Sequence, residues 1–155
     1  MKYINGNILD IENGIIIHQV NCQNVMGSGL AKQLYTKYPI VKESYHKFCF
    51  ENSNIPKKLL GNVDIIEIIR DKFYIVNLFG QREFGRIKDI VYTNYNAFYL
   101  AMIKLFNTIP KDLPIYIPYK IGCGLANGNW DIIIKILDKI EKDYDIEFNI
   151  VKFEK

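Results

Sequence analysis

Two segments of the chain set glycines beside small and polar residues in a way that suits an anion. They are Asn21-Cys22-Gln23-Asn24-Val25-Met26-Gly27-Ser28-Gly29-Leu30-Ala31 and Gly122-Cys123-Gly124-Leu125-Ala126-Asn127-Gly128. A glycine-containing turn lets backbone N–H groups converge on an oxyanion, and a helix starting there adds the positive end of its dipole. Two such turns could clamp a diphosphate from both sides. Either one alone is weak evidence, because glycine after a strand more often simply closes a turn. Neither G-x-G-x-x-G nor G-x-x-x-x-G-K-[ST] occurs, which makes a generic dinucleotide or P-loop domain a distant alternative.

Groups for acid–base or covalent chemistry are sparse. His18 and Cys22 lie four residues apart on or beside one apolar run, roughly 13 Å at the rise of a strand, too far for a local catalytic pair. His18 reads as a hydrogen-bonded core residue and His46 as part of a helix. Cys22 and Cys123 read as small buried residues of tight loops. Cys22, Cys49 and Cys123 are odd in number and lack C-x-x-C spacing, so neither a disulfide framework nor a zinc site is expected. Arg82, Arg86 and Lys88 either guide phosphates or form solvated surface. Trp130 either stacks on a ligand or joins the core.

The elements that must position these residues follow from periodicity and punctuation. Ile15 to Val20 is a β-branched run and reads as a buried strand, followed by the first glycine turn and a helix over Leu30 to Tyr38 closed by Pro39. A helix is expected from about Ile40 to Phe50, and an irregular connection over Asn52 to Lys58. Val63 to Ile69 and Phe73 to Leu78 read as strands joined tightly through Arg70-Asp71-Lys72. A loop over Gly80 to Asp89 precedes a helix from Asn94 to Phe106, with Thr93 as the expected N-cap. Pro114 to Pro118 reads as a strand with proline at its ends. The second glycine turn leads into a helix from Trp130, capped by Asn129, whose Ile133, Ile134, Leu137 and Ile140 form one apolar face. Phe148 to Phe153 is the closing strand. Strands alternating with helices imply a mixed, mostly parallel sheet covered on both faces, with ligands at the carboxyl ends of the strands.

Length and composition fit one ordinary domain, 1–155, with 49% hydrophobic residues to supply a core. A formal net charge of +3, spread along the chain, favours an anionic ligand but falls well short of a nucleic-acid-binding footprint. No apolar run approaches the roughly 18 to 20 residues of a membrane span, and the amino terminus lacks a signal-type apolar segment. A cytoplasmic monomer with no membrane partner is expected.

Asn21-Cys22-Gln23 through Met26-Gly27-Ser28-Gly29-Leu30-Ala31, followed by Tyr38-Pro39, resembles the first ligand loop of macrodomains. Gly6-Asn7-Ile8 resembles their early adenine-site motif, Asn77-Leu78-Phe79-Gly80-Gln81 their mid-chain strand and loop, and Ile117-Pro118 with Ile121-Gly122-Cys123-Gly124-Leu125 their second phosphate loop. The resemblance spans nearly the whole chain. It is strongest to the branch that holds ADP-ribose-1''-phosphate phosphatase-like proteins, terminal ADP-ribose glycohydrolase-like proteins and many phage and bacterial single-domain members. It implies a three-layer α/β/α macrodomain that binds ADP-ribose or a derivative; nothing in the residues calls for a metal or other cofactor.

The resemblance further implies that Asn7 and Ile8 line the adenine end and Asn21 lies near the distal ribose. Met26, Gly27, Ser28, Gly29 and Leu30 would form one wall of the diphosphate site, and Ile121, Gly122, Cys123, Gly124 and Leu125 the other. Phe79, Gly80 and Gln81 would border the distal ribose. Asn7 replaces the family's usual aspartate, but its amide oxygen can still accept from an adenine amino group. The aspartate and lysine of the glycohydrolase-like members are absent, with Ala126 and Gly80-Gln81 at those places, and Asn129 precedes Trp130 where relatives often have an acid. The catalytic candidates left are Asn21, Cys22, Gln81 and Asn129, with Ser28 and Asp131 nearby. Two activities stand: hydrolysis of ADP-ribose 1''-phosphate or of ADP-ribosylated protein or nucleic acid, and binding by a non-catalytic reader or scavenger.

Overall fold

The computed structural model describes residues 1–110 and 112–154. Six strands form one sheet: β1 (Lys2–Gly6), β2 (Gly14–Val20), β3 (Val63–Ile69), β4 (Phe73–Phe79), β5 (Ile115–Pro118) and β6 (Phe148–Phe153). Their spatial order is β1-β6-β5-β2-β4-β3. Every neighbouring pair is parallel except β3 with β4, which pair antiparallel around a turn whose Asp71 takes a positive φ of 59°. The helices are α1 (Gly29–Lys37), α2 (Ile40–Glu51), α3 (Pro56–Leu59), α4 (Tyr95–Thr108) and α5 (Trp130–Tyr144).

The period-2 alternation of the strands divides the core into two layers. Ile15 and Ile17 of β2 pack with Phe98, Met102 and Leu105 of α4 and with Ile133 and Leu137 of α5. Ile16 and Val20 face the other way, onto Leu34 of α1, Val41, Tyr45 and Cys49 of α2, and Leu59 of α3. The expected three-layer α/β/α arrangement with a mixed, mostly parallel sheet is therefore the observed one. Trp130 packs against the α4/α5 layer.

Three local differences from the sequence reading have physical causes. Strand β1 was not expected: it is an edge strand with four of its five residues exposed, so it carries no buried apolar pattern, and its pairing with β6 is set at long range. The segment before β3 contains the short helix α3, begun by Pro56 at a first-turn position where its missing N–H costs nothing. The cap of α4 is Asn94, whose Oδ1 accepts from Ala97 N at 2.9 Å, whereas Thr93 is buried and turned toward the second glycine loop. Asn129 caps α5 as expected, accepting from Asp131 N at 2.9 Å.

A buried polar chain crosses the sheet under α2. His18 and Asn77 lie opposite each other on β2 and β4, joined Nε2 to Oδ1. The Asn77 amide donates to Asp64 Oδ2 at 3.1 Å and to the Val41 carbonyl at 3.2 Å, and Ser44 Oγ donates to both Asp64 oxygens. Burial drives the His18 pKa down to about 4 against the opposing effect of its Asn77 bond. His18 is thus a neutral core residue. Because β1, β2, β4, β5 and β6 run parallel, the segments after them leave from one edge of the sheet, which carries both glycine loops.

Candidate functional site

The first glycine loop is shaped largely by Asn21. Its Nδ2 donates to the Val25 carbonyl at 2.8 Å and its Oδ1 accepts from Gln23 N at 2.9 Å. The Tyr45 hydroxyl, reaching from α2, lies 2.9 Å from both the carbonyl oxygen and the Oδ1 of Asn21, and accepts from Val25 N at 3.2 Å. His46 bonds Asn24 Oδ1 on the same side. The loop then opens at Gly27-Ser28-Gly29, and Ser28, at the N-cap position of α1, makes no side-chain capping bond. The N–H groups of Gly29, Leu30 and Ala31 open the helix and have no intrahelical acceptor, so they are free for an anion.

The second loop is braced from behind. Asn127 Nδ2 donates to the carbonyls of Ile87 and Ile90 at 2.9 and 2.8 Å, Gly128 N donates to Gly122 O at 2.8 Å, and Tyr92 N to Ala126 O at 2.8 Å. The N–H groups of Gly124, Leu125 and Ala126 have no internal acceptor among the described residues. Each loop therefore presents a run of unpaired backbone donors.

Gln19, which the sequence reading passed over, joins the two sides. Its Nε2 donates to Gln81 Oε1 and to Thr93 Oγ1, each at 2.9 Å, and the Thr93 hydroxyl donates to the Gly122 carbonyl at 2.6 Å. A β-carbon on Gly80 would stand 2.4 Å from Gln19 Oε1, and one on Gly122 3.1 Å from the same atom. The Gln19 side-chain oxygen, Oε1, is buried without a hydrogen-bond partner among the described residues. The only sequence signal for this residue is a long polar side chain at the end of an apolar strand, next to a glycine loop.

Two cavities flank the start of α1. The larger, 560 Å³, has the end of β2 (Gln19 to Asn21) as its floor, Val25 to Ser28 and Ala31 on one side, and Leu125 and Ala126 on the other. Gln81 and the segment Phe84 to Arg86 close the third side. Arg86 carries the sole ionisable side chain among these lining residues. The smaller cavity, 440 Å³, lies between Asn7 and Ile8, Leu30 and Gln33, Pro118 and Tyr119, and the strand end Val151 to Phe153. Asn7 Oδ1 already accepts from Leu9 N at 3.0 Å, which leaves one lone pair and the Nδ2 donors for a ligand.

Of the expected site residues, Asn21, Met26, Gly27, Ser28, Gln81 and Leu125 line the larger cavity, and Asn7, Ile8 and Leu30 the smaller. Gly29 and Gly124 stand beside them with open space around their α-carbons. Phe79 reaches neither cavity: it is fully buried and stacked on Tyr45 and Phe48. Gly80 and Gly122 act through the close approach of Gln19, Ile121 is core, and Cys123 packs against the α4/α5 layer.

The catalytic candidates are occupied elsewhere. Cys22 is buried, and desolvation, aided by the neighbouring Cys49, pushes its thiol up to about 12. The side chain of Asn129 caps α5, that of Gln81 bonds Gln19 and the Glu83 carbonyl, and that of Asn21 holds its own loop. Burial raises Cys123 as well, to about 11. No carboxylate, imidazole or thiol lines the larger cavity among the described residues.

No protein-family model matches the chain. It is 34% identical over 153 residues to an uncharacterized 17.5 kDa protein from the tk–vs intergenic region of Enterobacteria phage T4, covering 94% of this chain and 93% of that protein. It is 28% identical to an ADP-ribose 1''-phosphate phosphatase of Candida glabrata, over 99% of this chain and 98% of the relative. Its fold superposes on the macrodomain of Mycobacterium tuberculosis DarG with a TM-score of 0.75 at 19% identity, covering 99% and 97% of the two chains. With paired glycine loops at the carboxyl edge of a six-stranded mixed sheet, and with relatives that span its full length, the chain belongs to the macrodomain family.

Proposed function

We propose that the protein binds ADP-ribose 1''-phosphate and removes its terminal phosphate. In this reading the adenine occupies the smaller cavity, the diphosphate lies across the N–H groups of the two glycine loops, and the distal ribose with its phosphate fills the larger cavity. The observation that carries the reading is Arg86: the one ionisable side chain among the described residues lining the larger cavity is a cation, which suits a terminal phosphate better than a bare ribose hydroxyl. The name of the Candida glabrata relative points to the same substrate.

Hydrolysis of a phosphate monoester passes through a loose transition state, so positioning and charge stabilisation do most of the catalytic work. Water attacks phosphorus, the bond from phosphorus to the anomeric oxygen breaks, and one proton of the attacking water passes by way of a phosphate oxygen to the departing anomeric oxygen, leaving ADP-ribose and inorganic phosphate. Arg86 and the unpaired loop N–H groups would stabilise the charge that develops on the equatorial oxygens. Such a reaction needs no side-chain base. The absence of one from the larger cavity equally favours a second reading, a reader that binds ADP-ribose, free or attached to protein or nucleic acid, without turnover.

The test is calorimetric titration with ADP-ribose and with its 1''-phosphate, followed by assay of released inorganic phosphate. Turnover that Arg86→Gln slows by at least about tenfold, the scale of one lost charge-assisted contact, supports the phosphatase. Tight binding of both ligands with no phosphate release supports the reader. Failure to bind either overturns both.

A further inference from the structure

We propose that the rim of the smaller cavity is a subsite for a phosphate monoester on the ribose of a purine nucleoside, so that the preferred ligands are 2'- or 3'-phosphorylated forms of ADP-ribose. The proposal rests on reading that cavity as the adenosine end.

Its centre is Tyr119. The ring is fixed by edge contacts from Tyr3 and Trp130, at centroid distances of 6.4 and 5.4 Å, and by the bond from Tyr119 N to Val151 O at 2.9 Å. Two ammonium groups converge on it: Lys152 Nζ lies 5.1 Å and Lys120 Nζ 5.6 Å from the ring centroid. Two cations beside one ring set up a local positive potential, which the ring quadrupole offsets only in part. No ion pair joins either lysine to a carboxylate among the described residues. An anion at this rim would meet that positive potential.

The backbone supplies a second, independent sign. Lys120 sits at φ 60°, in the left-handed region that glycine or asparagine occupies at lower cost. A long cationic side chain is nonetheless placed there, directly before the second glycine loop. The cavity, lined by Lys152 and Tyr119 with Lys120 next in the chain, combines the apolar faces of Ile8, Leu30 and Phe153 with the amides of Asn7 and Gln33, a lining suited to a purine. The diphosphate already has the loop N–H groups as partners. What the lysine pair adds is room for charge on the nucleoside itself, and a dianionic monoester matches two cations.

The test titrates the intact protein with ADP-ribose and 2'-phospho-ADP-ribose, and in parallel with AMP, adenosine 2',5'-bisphosphate and adenosine 3',5'-bisphosphate, at low and high salt. The additional phosphate is expected to tighten binding about tenfold, the scale of one or two charge-assisted contacts at a solvent-accessible site, and the gain should shrink at high salt. The two bisphosphates identify which hydroxyl carries the phosphate. In the double variant Lys120→Gln/Lys152→Gln the affinity ratio between phosphorylated and parent ligands should fall to about one, whatever happens to the parent affinity. Equal affinities in the unaltered protein, or a ratio that survives the double substitution, would overturn the subsite. Failure of ADP-ribose itself to bind would count against the proposed function, while the comparison of AMP with its bisphosphates would still decide the subsite.

Discussion

Gln19 shows how one side chain can set the spacing of two loops. Its amide oxygen lies too close to the place a β-carbon on Gly80 would take and tightly against that of one on Gly122, and its Nε2 donates to Gln81 and Thr93. Gly80→Ala should therefore displace that amide rather than merely crowd it. The expected cost in stability is about 1 to 2 kcal/mol, the range of a broken buried hydrogen bond, with a loss of ADP-ribose affinity of about tenfold or more. Adding Gln19→Ser to that variant should relieve the clash and recover melting temperature without recovering affinity; recovery of both would show that Gln19 does not set the loops.

His18 makes a different kind of prediction. Its pKa falls from 6.5 unfolded to about 4 folded, so the unfolded chain binds the proton first and stability is lost as pH falls from about 6.5 to about 4. The full difference is on the order of 3 kcal/mol. Asp64, whose carboxyl is raised chiefly by burial, acts with the opposite sign, since its charged form becomes unfavourable as pH rises above the ordinary carboxylate range. Urea unfolding across that window should show the acid loss in the native protein and a flatter profile in His18→Gln. Identical profiles would mean that folding leaves the His18 pKa at its ordinary value.

At the scale of elements, the first loop is held from α2. Tyr45 stacks on Phe79 at 5.7 Å and 14°, and its hydroxyl joins both ends of the segment from Asn21 to Val25. Tyr45→Phe keeps the ring and removes the hydroxyl, so a loss of about 1 to 2 kcal/mol should come with weaker ADP-ribose binding. Unchanged affinity would assign Tyr45 to the core alone. Gly124→Val places a branched side chain in the open space beside the larger cavity and should abolish binding in a folded protein.

These cases also show what could be read from the chain. The units β2–loop–α1 and β5–loop–α5 were legible because glycines, apolar periodicity and the Asn129 cap are local signals. Gln19, Thr93 and Tyr45 were not. Their partners lie 20 to 74 residues away along the chain, and only the sheet register and the packing of α2 bring them together. Cys22 and Asn129 stood among the catalytic candidates, but their plainer roles, burial and capping, were legible locally and are the ones the fold shows.

The whole molecule sets two cavities on one sheet edge, one behind the carboxyl ends of β1, β5 and β6, the other beyond β2 and β4. A ligand spanning both should bind far better than its halves, because the second contact becomes intramolecular once the first is made; such linkage raises affinity by about 10²- to 10⁴-fold where the connection matches the span. In the proposed pose AMP fills the smaller cavity and ribose 5-phosphate the larger. Binding to the native state stabilises the fold by about 2.7 kcal/mol at about 100 times Kd. For a chain of this length that corresponds to a rise in Tm of roughly 5 to 10 °C. ADP-ribose should produce such a rise at a concentration where AMP and ribose 5-phosphate, alone or together, produce almost none. If AMP alone matched ADP-ribose, the larger cavity would contribute nothing to binding, and the reading of Arg86 as the partner of a terminal phosphate would fall with it.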